Sequence, residues 1–332
     1  MKKLLISFLS LLIILVSIFF WASSGTLKHD QLYAITKTAD NKIISKDTIS
    51  IMTYNIGYLS GLTNNKPLER KESLFDKNAD AIIDLLKKYK VDILAIQEID
   101  FDSDRSFNIN QLDFIKSGMN YNFTSKAVNW DKRYVPFPYW PPKYHFGKIV
   151  SGQAIASRFP ILSNDIEILS KPVDQDFYYN AFYLDRLIQM DTLSINGQPV
   201  LLMNVHLEAF STKTRALHIQ KVFKLFTNAI KNGPVLLVGD FNESTLSGNQ
   251  SMMRPFYEHP GIGRAIHLDT LKQNINKHFT YSSERPDKKI DYIFYAKNYI
   301  EAIESMTITK TENLSDHLPV LMRFKLKSLS SN

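Results

Sequence analysis

A short apolar segment that ends in polar side chains, residues 235–244, most constrains how this chain folds. Its four consecutive apolar residues, Val-Leu-Leu-Val, are typical of a strand buried on both faces. Asp240 and Asn242 follow at a spacing of two, which places both side chains on one side of an extended segment. Taken alone, the segment better fits an ordinary strand that ends in a polar turn. The rest of the chain favours the alternative, a buried strand with a carboxylate and an amide at its carboxyl end, where open sheets place reactive groups.

Other predicted strands also carry polar groups at or near one end. Strands are predicted at residues 48–55, 92–98, 151–157, 161–169, 186–195, 199–207, 289–295, 303–309 and 319–325. The polar groups near their ends are Asn55, Glu98, His206, Asp291, and Asp316 with His317. Each alone fits a structural role, because charged and imidazole groups at strand ends are commonly surface or packing residues. Their repetition at successive strand ends favours a shared site.

The connections between these strands are predicted to be of several kinds. Apolar residues at steps of three and four predict amphipathic helices over about residues 70–89 and 212–232. Asn196-Gly197 predicts a tight hairpin turn. Residues 100–148 and 245–288 lack a clear period and are predicted to be irregular.

The chain has no cysteine among its 332 residues, which excludes disulfides, a cysteine nucleophile and a thiolate metal site. The polar groups at the strand ends are carboxylates, amides and imidazoles. Oxygen ligands without thiolates favour a hard cation, Mg²⁺ or Mn²⁺. No Gly-x-Ser-x-Gly elbow or phosphate-binding glycine loop is present.

The first 25 residues predict a membrane segment. Lys2 and Lys3 precede an uncharged apolar run over residues 4–22, which at about 1.5 Å per residue is long enough to span a bilayer core of about 30 Å. We expect an uncleaved anchor, although Ala22-Ser-Ser also suits a signal peptidase. Either way, the positive charge before the run predicts that the rest of the chain is exported, to the periplasm or the extracellular side. Residues 26–46 are predicted to be a linker, and residues 47–328 a monomeric catalytic domain.

Six segments together resemble the endonuclease/exonuclease/phosphatase superfamily, whose members include DNase I. They are Thr53-Tyr-Asn, Gln97-Glu98, Asn204-Val-His, Gly239-Asp-Phe-Asn, Ile290-Asp-Tyr and Ser315-Asp-His-Leu-Pro. Any one of them is a weak signal, but six in the family's order form a specific one. The resemblance implies an α/β four-layer sandwich of two packed, mostly antiparallel sheets flanked by helices.

The resemblance also implies a role for each residue. Glu98, Asn55 and Asp316 would hold the metal, and His206 would donate to a phosphate oxygen. Asp240 and Asn242 would orient or deprotonate water, and His317, paired with Asp291, would contact the phosphate or transfer a proton. The carboxylate of Asp291 should raise the pKa of that imidazole. Some family nucleases carry an acidic residue where this chain has Gly57, which argues against an abasic-site endonuclease.

The identity of the phosphate ester stays open between two classes. The net charge of +7 suits nucleic acid. The apolar N-terminus and the aromatic segment 130–146 suit a phospholipid or glycolipid headgroup. Candidate substrate contacts in that segment are Trp130, Arg133, Tyr139 and Trp140, although such rings also fit a small satellite core. A binding module without catalysis is a third alternative, disfavoured because the recognisable family positions are all filled.

Overall fold

A computed structural model describes residues 1–38, 44–245 and 251–327 of this chain. The helices in these residues are α1 (Lys2–Ser23), α2 (His29–Leu32), α3 (Glu72–Tyr89), α4 (Gln111–Met119), α5 (Phe177–Phe182), α6 (Thr212–Ala229), α7 (Arg254–Glu258) and α8 (Leu268–Gln273). The strands are β1 (Tyr33–Lys37), β2 (Ile49–Asn55), β3 (Ile93–Asp100), β4 (Phe123–Val135), β5 (Gly147–Ser157), β6 (Ile161–Ile168), β7 (Leu187–Ile195), β8 (Gln198–His206), β9 (Val235–Asp240), β10 (Ile262–Arg264), β11 (Asp291–Ala296), β12 (Ile300–Thr307) and β13 (Val320–Leu326).

Two mixed sheets pack face to face with helices outside them. The first sheet has the order β1-β4-β5-β3-β2-β13-β12, and the second has the order β10-β11-β9-β8-β7-β6. One apolar cluster lies between the sheets and includes Ile51 and Val238. A second cluster packs α3 and α4 on the first sheet, and a third packs α6 on the second. The predicted four-layer sandwich is confirmed.

Each sheet contains one parallel strand pair joined by a crossover helix. β2 and β3 are parallel and α3 connects them, whereas β8 and β9 are parallel and α6 connects them. The apolar faces of both helices form because their large side chains recur at helical spacing, as in Phe75, Ile82 and Leu86 of α3. Burial of each such side chain contributes about 1.5–3 kcal/mol. These two units align the carboxyl ends of four strands at one end of the sandwich.

The predicted hairpin between β7 and β8 is confirmed. Ile195 pairs with Gln198 across the turn. Asn196 and Gly197 both have positive φ, 52° and 82°, as a two-residue turn of this kind requires.

The prediction that residues 100–148 are irregular is wrong, because they contain α4 and the 13-residue β4. Asn110 caps α4 by accepting a hydrogen bond from the Asp113 N–H, and Asn120 ends it in the left-handed conformation. The strand pattern of β4 is obscured because polar residues on it face inward. Ser125, for example, is buried and donates a hydrogen bond to Asp191 on β7 of the other sheet.

The segment predicted to be a linker contributes to the sandwich. β1 pairs antiparallel with β4 at the edge of the first sheet. Further along, the Lys46 N–H donates to the Asn196 side chain, at the β7–β8 turn. The described part of residues 26–46 is therefore packed on the domain.

Within the described residues, α1 is the single helix long and apolar enough to cross a membrane, with a mean hydropathy of 2.8. Its end is attached to β4. Lys132 Nζ donates to the carbonyl of Ser23 over 2.8 Å, and the Arg133 N–H donates to the carbonyl of Ser24 over 2.9 Å. The Asp131 carboxylate accepts hydrogen bonds from the N–H groups of Thr26 and Leu27.

Candidate active site

The candidate site forms where the parallel pair of each sheet ends. His206 at the end of β8 is in register with Asp240 at the end of β9, and Asp291 at the start of the antiparallel β11 pairs with Asp240. On the first sheet, Asn55 ends β2 and Glu98 lies near the end of β3. His317 shortly precedes β13, which pairs with β2, so both sheets contribute polar groups to one place.

A β-bulge in β3 directs Glu98 into the site. The pairing of β3 with β5 shifts by one residue between Ile96 and Ile99, and Glu98 has a φ of 52°. Gln97 is fully buried and donates to the Asn204 side chain of the opposite sheet over 2.6 Å. The bulge thus lets two consecutive residues serve two purposes, one between the sheets and one in the site.

Asp240 occupies the centre of the site, and its two oxygens have different surroundings. Oδ1 accepts a hydrogen bond of 2.8 Å from the Asn242 N–H. Oδ2 accepts one of 3.2 Å from Asn55 Nδ2 and lies 3.6 and 3.7 Å from Nε2 of His206 and of His317. Both imidazole distances exceed that of a direct hydrogen bond, so His206 and His317 face Asp240 Oδ2 without bonding to it.

The pKa values of the two histidines of the site are shifted in opposite directions. Burial and the positive charge of Arg186 hold the pKa of His206 well below its usual value. Burial alone would also lower the pKa of His317, but Asp291 and Asp240 outweigh it and raise this pKa well above the usual value. His317 Nδ1 lies 3.1 Å from Asp291 Oδ2, so the predicted pair is present, and this contact is one cause of the raised pKa of His317. These shifts favour the neutral form of His206 and the protonated form of His317.

The carboxylate of Asp240 is also perturbed. Burial, and then the negative charge of Asp291, raise its pKa to about 7, against the opposing effect of His317. A carboxyl group titrating near neutral pH in a cluster of this kind is suited to proton transfer.

A second carboxylate pair lies on the first-sheet side and suits a hard cation. Burial, followed by the negative charge of Asp316, raises the pKa of Glu98. Glu98 Oε2 accepts a 2.8 Å hydrogen bond from Asn64 Nδ2. A Cβ on Gly57 would lie 3.2 Å from Asp316 Oδ1 and 3.7 Å from Asn64 Nδ2, so Gly57 lines the same place. A buried carboxylate with a second carboxylate, Asp316, beside it suits a hard cation such as Mg²⁺ or Mn²⁺.

A second cluster with ligand-type atoms is formed by Asp240, Asp291 and His317, whose atoms lie within 4.8 Å of one another. These residues already have partners, since Asp291 binds His317 and Asp240 accepts from Asn242 and Asn55. Glu98 and Asn55 have partners as well, because Glu98 accepts from Asn64 and Asn55 Oδ1 accepts from the Gly57 N–H. The predicted roles of the cluster in proton transfer and phosphate contact, and of Glu98, Asp316 and Asn55 as cation ligands, stay predictions.

The structure reveals two site residues that no motif indicated, Asn64 and Arg186. Asn64 lies in the loop after β2 and has no spacing relation to Glu98. Arg186, just before β7, is buried, and its charge acts on both His206 and Glu98. Ser315 belongs to the motif Ser315-Asp-His-Leu-Pro but was not predicted to be a site residue, and its Oγ donates to the carbonyl of Asn55 over 2.7 Å.

Asn242 has a positive φ of 53°, and its side-chain amide donates to the carbonyl of Leu207 over 3.0 Å. Its amide therefore ties the loop after β9 to the end of β8. Its predicted contact with water or phosphate stays a prediction.

The four predicted substrate contacts fall into different environments. The prediction that Trp130 contacts the substrate is wrong, because its ring is buried against Phe146 and its Nε1 donates to the carbonyl of Phe182. Arg133 is exposed and donates to Ser24 at the end of α1. Tyr139 and Trp140 are 70% and 77% exposed in the loop between β4 and β5. The substrate role of these two rings stays a prediction.

Comparison with known proteins agrees with this geometry. A sequence model described as the endonuclease/exonuclease/phosphatase family matches residues 52–317. No curated protein gives a significant sequence match. Similar solved structures include an endonuclease/exonuclease/phosphatase from Beutenbergia cavernae, with 17% identity and a TM-score of 0.59 over 85% of this chain and 72% of that one.

Two further solved structures have the same fold. One is D. rerio TDP2 complexed with single-strand DNA product, with 17% identity and a TM-score of 0.57 over 84% of this chain and all of that one. The other is the human Nocturnin catalytic domain with bound sulfate, with 15% identity and a TM-score of 0.56 over 91% of this chain and all of that one.

Proposed function

This chain belongs to the endonuclease/exonuclease/phosphatase family of phosphoester hydrolases, and we propose that it hydrolyses phosphodiesters by direct, metal-assisted attack of water. The observation that carries the proposal is the convergence of Glu98, His206, Asp240 and the His317–Asp291 pair from both sheets at one end of the sandwich. These are the groups that hydrolysis of a phosphate ester needs: a base, cationic or neutral donors, and oxygen ligands.

The chain's own residues divide the chemistry among them. Asp240 Oδ2, fixed by the bond of Asn242 to the other oxygen, accepts the proton of the attacking water. His317 is held as an imidazolium by Asp291, so Nε2 donates to an oxygen of the phosphate and delivers a proton when the leaving group departs. His206, kept neutral by burial, donates a second hydrogen bond. Both imidazoles thereby oppose the negative charge that develops during in-line displacement.

Glu98, Asp316 and Asn55 would hold Mg²⁺ or Mn²⁺ beside these donors. The ion would neutralise negative charge on the phosphate as it reacts. The donor set contains oxygen only, which suits a hard cation.

We further propose that α1 anchors the domain to a membrane, with the domain outside the cytoplasm. Its length and apolar composition support this, as do Lys2 and Lys3 before the apolar run. Ala22, Ser23 and Ser24, the residues that would suit a signal peptidase, are folded into contacts with the domain. Retention of full-length protein in the membrane after alkaline carbonate washing would support the anchor. A secreted product that begins after residue 24 would contradict it.

Nucleic acid and lipid headgroups are both candidate substrates. The net charge of +7 favours a polyanion. The position of exposed aromatic rings beside α1 favours a lipid. Full-length protein in detergent, supplied with Mg²⁺, should be assayed on plasmid DNA, phospholipid vesicles and an aryl phosphodiester, with an aryl phosphomonoester to separate diesterase from monoesterase activity.

The proposed chemistry is tested by Glu98→Gln, which removes one charge and keeps the side-chain size. We expect turnover of the aryl diester to fall by about 10²–10⁴-fold, because loss of a ligand removes several kcal/mol of charge stabilisation. The matched control is Glu167→Gln on β6, whose carboxylate pairs with Lys221 at the surface. Full activity in excess chelator, or equal loss in the control, would refute the metal assignment.

A further inference from the structure

The junction between α1 and the domain is a fixed one. The last residues of the helix bond to Lys132 and Arg133, and the Asp131 carboxylate holds the N–H groups of Thr26 and Leu27 at 2.8 Å. These bonds hold residues 23–27 against β4 and leave no free tether between helix and strand. The domain surface that surrounds the end of α1 therefore lies at the level of the lipid headgroups whenever α1 spans a bilayer.

The short helix α5 lies beside the last turn of α1 rather than beyond its end. The ring centroid of Phe19 is 6.1 Å from that of Phe177 and 5.4 Å from that of Phe182. Phe19 precedes the end of α1 at Ser23 by four residues, which is about 6 Å along a helix axis. The first residue of α5 thus reaches below the headgroup level towards the acyl chains.

The side chains near this contact are large, aromatic and exposed. Phe177 is 76% exposed, Tyr178 is 56% exposed, and Phe210 is 76% exposed. Phe177 and Tyr178 contact each other, with ring centroids 5.8 Å apart, and Phe210 packs against Tyr183 just after α5. Exposed rings grouped in this way mark interaction sites, and aromatic rings suit the membrane interface.

We infer that Phe177, Tyr178 and Phe210 form a docking surface that seats the catalytic domain on the bilayer that α1 crosses. The occupant is a lipid surface because the patch is continuous with a helix of membrane-spanning length and lies alongside its final turn. Lys171 donates to the carbonyl of Tyr183, just after α5, and Lys132 donates to that of Ser23, so both ammonium groups lie at the edge of the patch. Lys171 Nζ also lies 3.0 Å from Asp185 Oδ1, so the exposed rings, more than positive charge, favour a lipid surface here. The inference rests on the proposed function in requiring α1 to be embedded.

The docking surface brings the active site close to the membrane. Phe210 follows His206 by four residues, and its N–H donates to Glu208, which also accepts a hydrogen bond from Tyr183 after α5. A connection of four residues spans at most about 14 Å. A phosphate ester in the headgroup layer therefore lies within reach of the site.

Because the chain contains no cysteine, single labels allow a direct test. Full-length Phe177→Cys, Tyr178→Cys, Leu162→Cys and Ile303→Cys variants would each carry an environment-sensitive fluorophore. They would be reconstituted in phosphatidylcholine vesicles that contain a lipid with a nitroxide near the top of its acyl chain. Leu162 and Ile303 are the matched controls, because they are apolar, 60% and 50% exposed, and lie on β6 and β12. We expect severalfold stronger quenching at positions 177 and 178 than at the controls.

A Phe8→Cys label in the middle of α1, with a nitroxide deep in the bilayer, reports the anchor separately. Quenching at position 8 with no excess at 177 and 178 would overturn the docking surface and leave the anchor intact. No quenching at position 8 would overturn both. Hydrolysis of the soluble aryl diester by the same variants reports on the catalytic proposal alone, since none of the labelled positions lies in the site.

Discussion

At the scale of single residues, the site separates its two histidines by their neighbours. His206 faces Glu98 and Asp240 at 3.8 and 3.6 Å without a direct bond, whereas His317 is bonded to Asp291. A nearby carboxylate favours the charged ring, and burial without such a bond disfavours it. The opposite pKa shifts follow from burial and the charge of Arg186 at His206, and from the charges of Asp291 and Asp240 at His317.

His317→Ala should lower turnover of the aryl diester by about 10²–10⁴-fold, as expected when a group that transfers a proton is lost. Asp291→Asn should cost less, because it leaves the ring in place. The control is His218→Ala on α6, since His218 is also buried and bonds to Ser170 instead. Turnover per folded molecule, measured for both, should fall only for His317→Ala. An equal fall would show that the site has been assigned wrongly.

Asp191 is a buried carboxyl group outside the site. It lies between the sheets, where Ser125 donates to it, and burial raises its pKa to about 7. Its folded-state pKa thus exceeds the unfolded value of about 3.9. The unfolded chain releases this proton first, so its contribution to stability is complete below about pH 4 and is lost as the pH rises to 7.

Asp191→Asn should remove this loss. Between pH 5 and 8, the free energy of unfolding of the variant should rise relative to that of the natural chain by about 3 kcal/mol, from about two units of pKa difference in that window. Urea unfolding of full-length protein in detergent with Mg²⁺ measures it. Asp84→Asn on the exposed face of α3 is the control. Parallel pH profiles for the Asp191 variant and the natural chain would contradict the expectation.

The residues that could be predicted from sequence are those whose backbone position is set locally. Asp240 and His206 lie at the ends of strands, and the apolar pattern of each strand indicates which way the side chain at its end points. Asn64 and Arg186 could not be predicted, because each reaches the site from another part of the chain through tertiary packing. Their contacts exist only once the two sheets have met.

At the scale of elements, β4 and the loop after it show why an aromatic segment is ambiguous. Trp130 on the strand is buried with Phe146, and the Arg105 guanidinium lies 5.1 Å from the centroid of its ring. Trp140, ten residues later, is exposed. Both are tryptophans in the same aromatic segment of the sequence, and only the pairing of β4 with β5 distinguishes them.

Trp130→Ala should destabilise the protein by about 3–5 kcal/mol and lower the melting temperature by several degrees. Tyr139→Ala with Trp140→Ala should change stability by no more than about 0.5 kcal/mol, because both rings are exposed. Thermal melting separates the two cases. A large drop in melting temperature for the exposed pair would show that they pack after all.

The same exposed pair also tests the substrate. Loss of activity on phospholipid vesicles alone would identify a lipid enzyme, and loss on single-stranded DNA alone would identify a nuclease. On single strands, stacking of a base on each ring is worth about 1–3 kcal/mol. Loss on neither would remove Tyr139 and Trp140 from the substrate contacts.

At the scale of the whole molecule, the site depends on the alignment of two sheets. Gln97 and Asn204 join them below the site, and Asn204 also donates to the carbonyl of Ile96 next to the bulge. Sequence motifs place these amides one or two residues from Glu98 and His206 but do not show that they meet. The two amides meet only because the two sheets pack face to face. The alternation of the strands predicts a sandwich in general, but not which residues meet across it.

Gln97→Ala and Asn204→Ala should each be destabilising, because each leaves a buried amide without its partner, at about 1–3 kcal/mol. The double variant should lose less than the sum, by about 0.5–3 kcal/mol, since the two residues share one bond. Turnover should fall with either change as Glu98 and His206 lose alignment. Additive losses in urea unfolding would show that the bond does not couple the sheets.

The hydrogen bonds of Asp131 to Thr26 and Leu27 have a kinetic consequence once α1 is embedded. A domain on a long flexible tether samples a volume of solution, with a reach that grows with tether length. This domain instead stays at one height and moves with its anchor. If the substrate is a lipid headgroup, the search for it becomes two-dimensional and is governed by lateral diffusion. The rate on such a substrate then depends on how many phosphate esters share its patch of membrane, and little on how many are dissolved nearby.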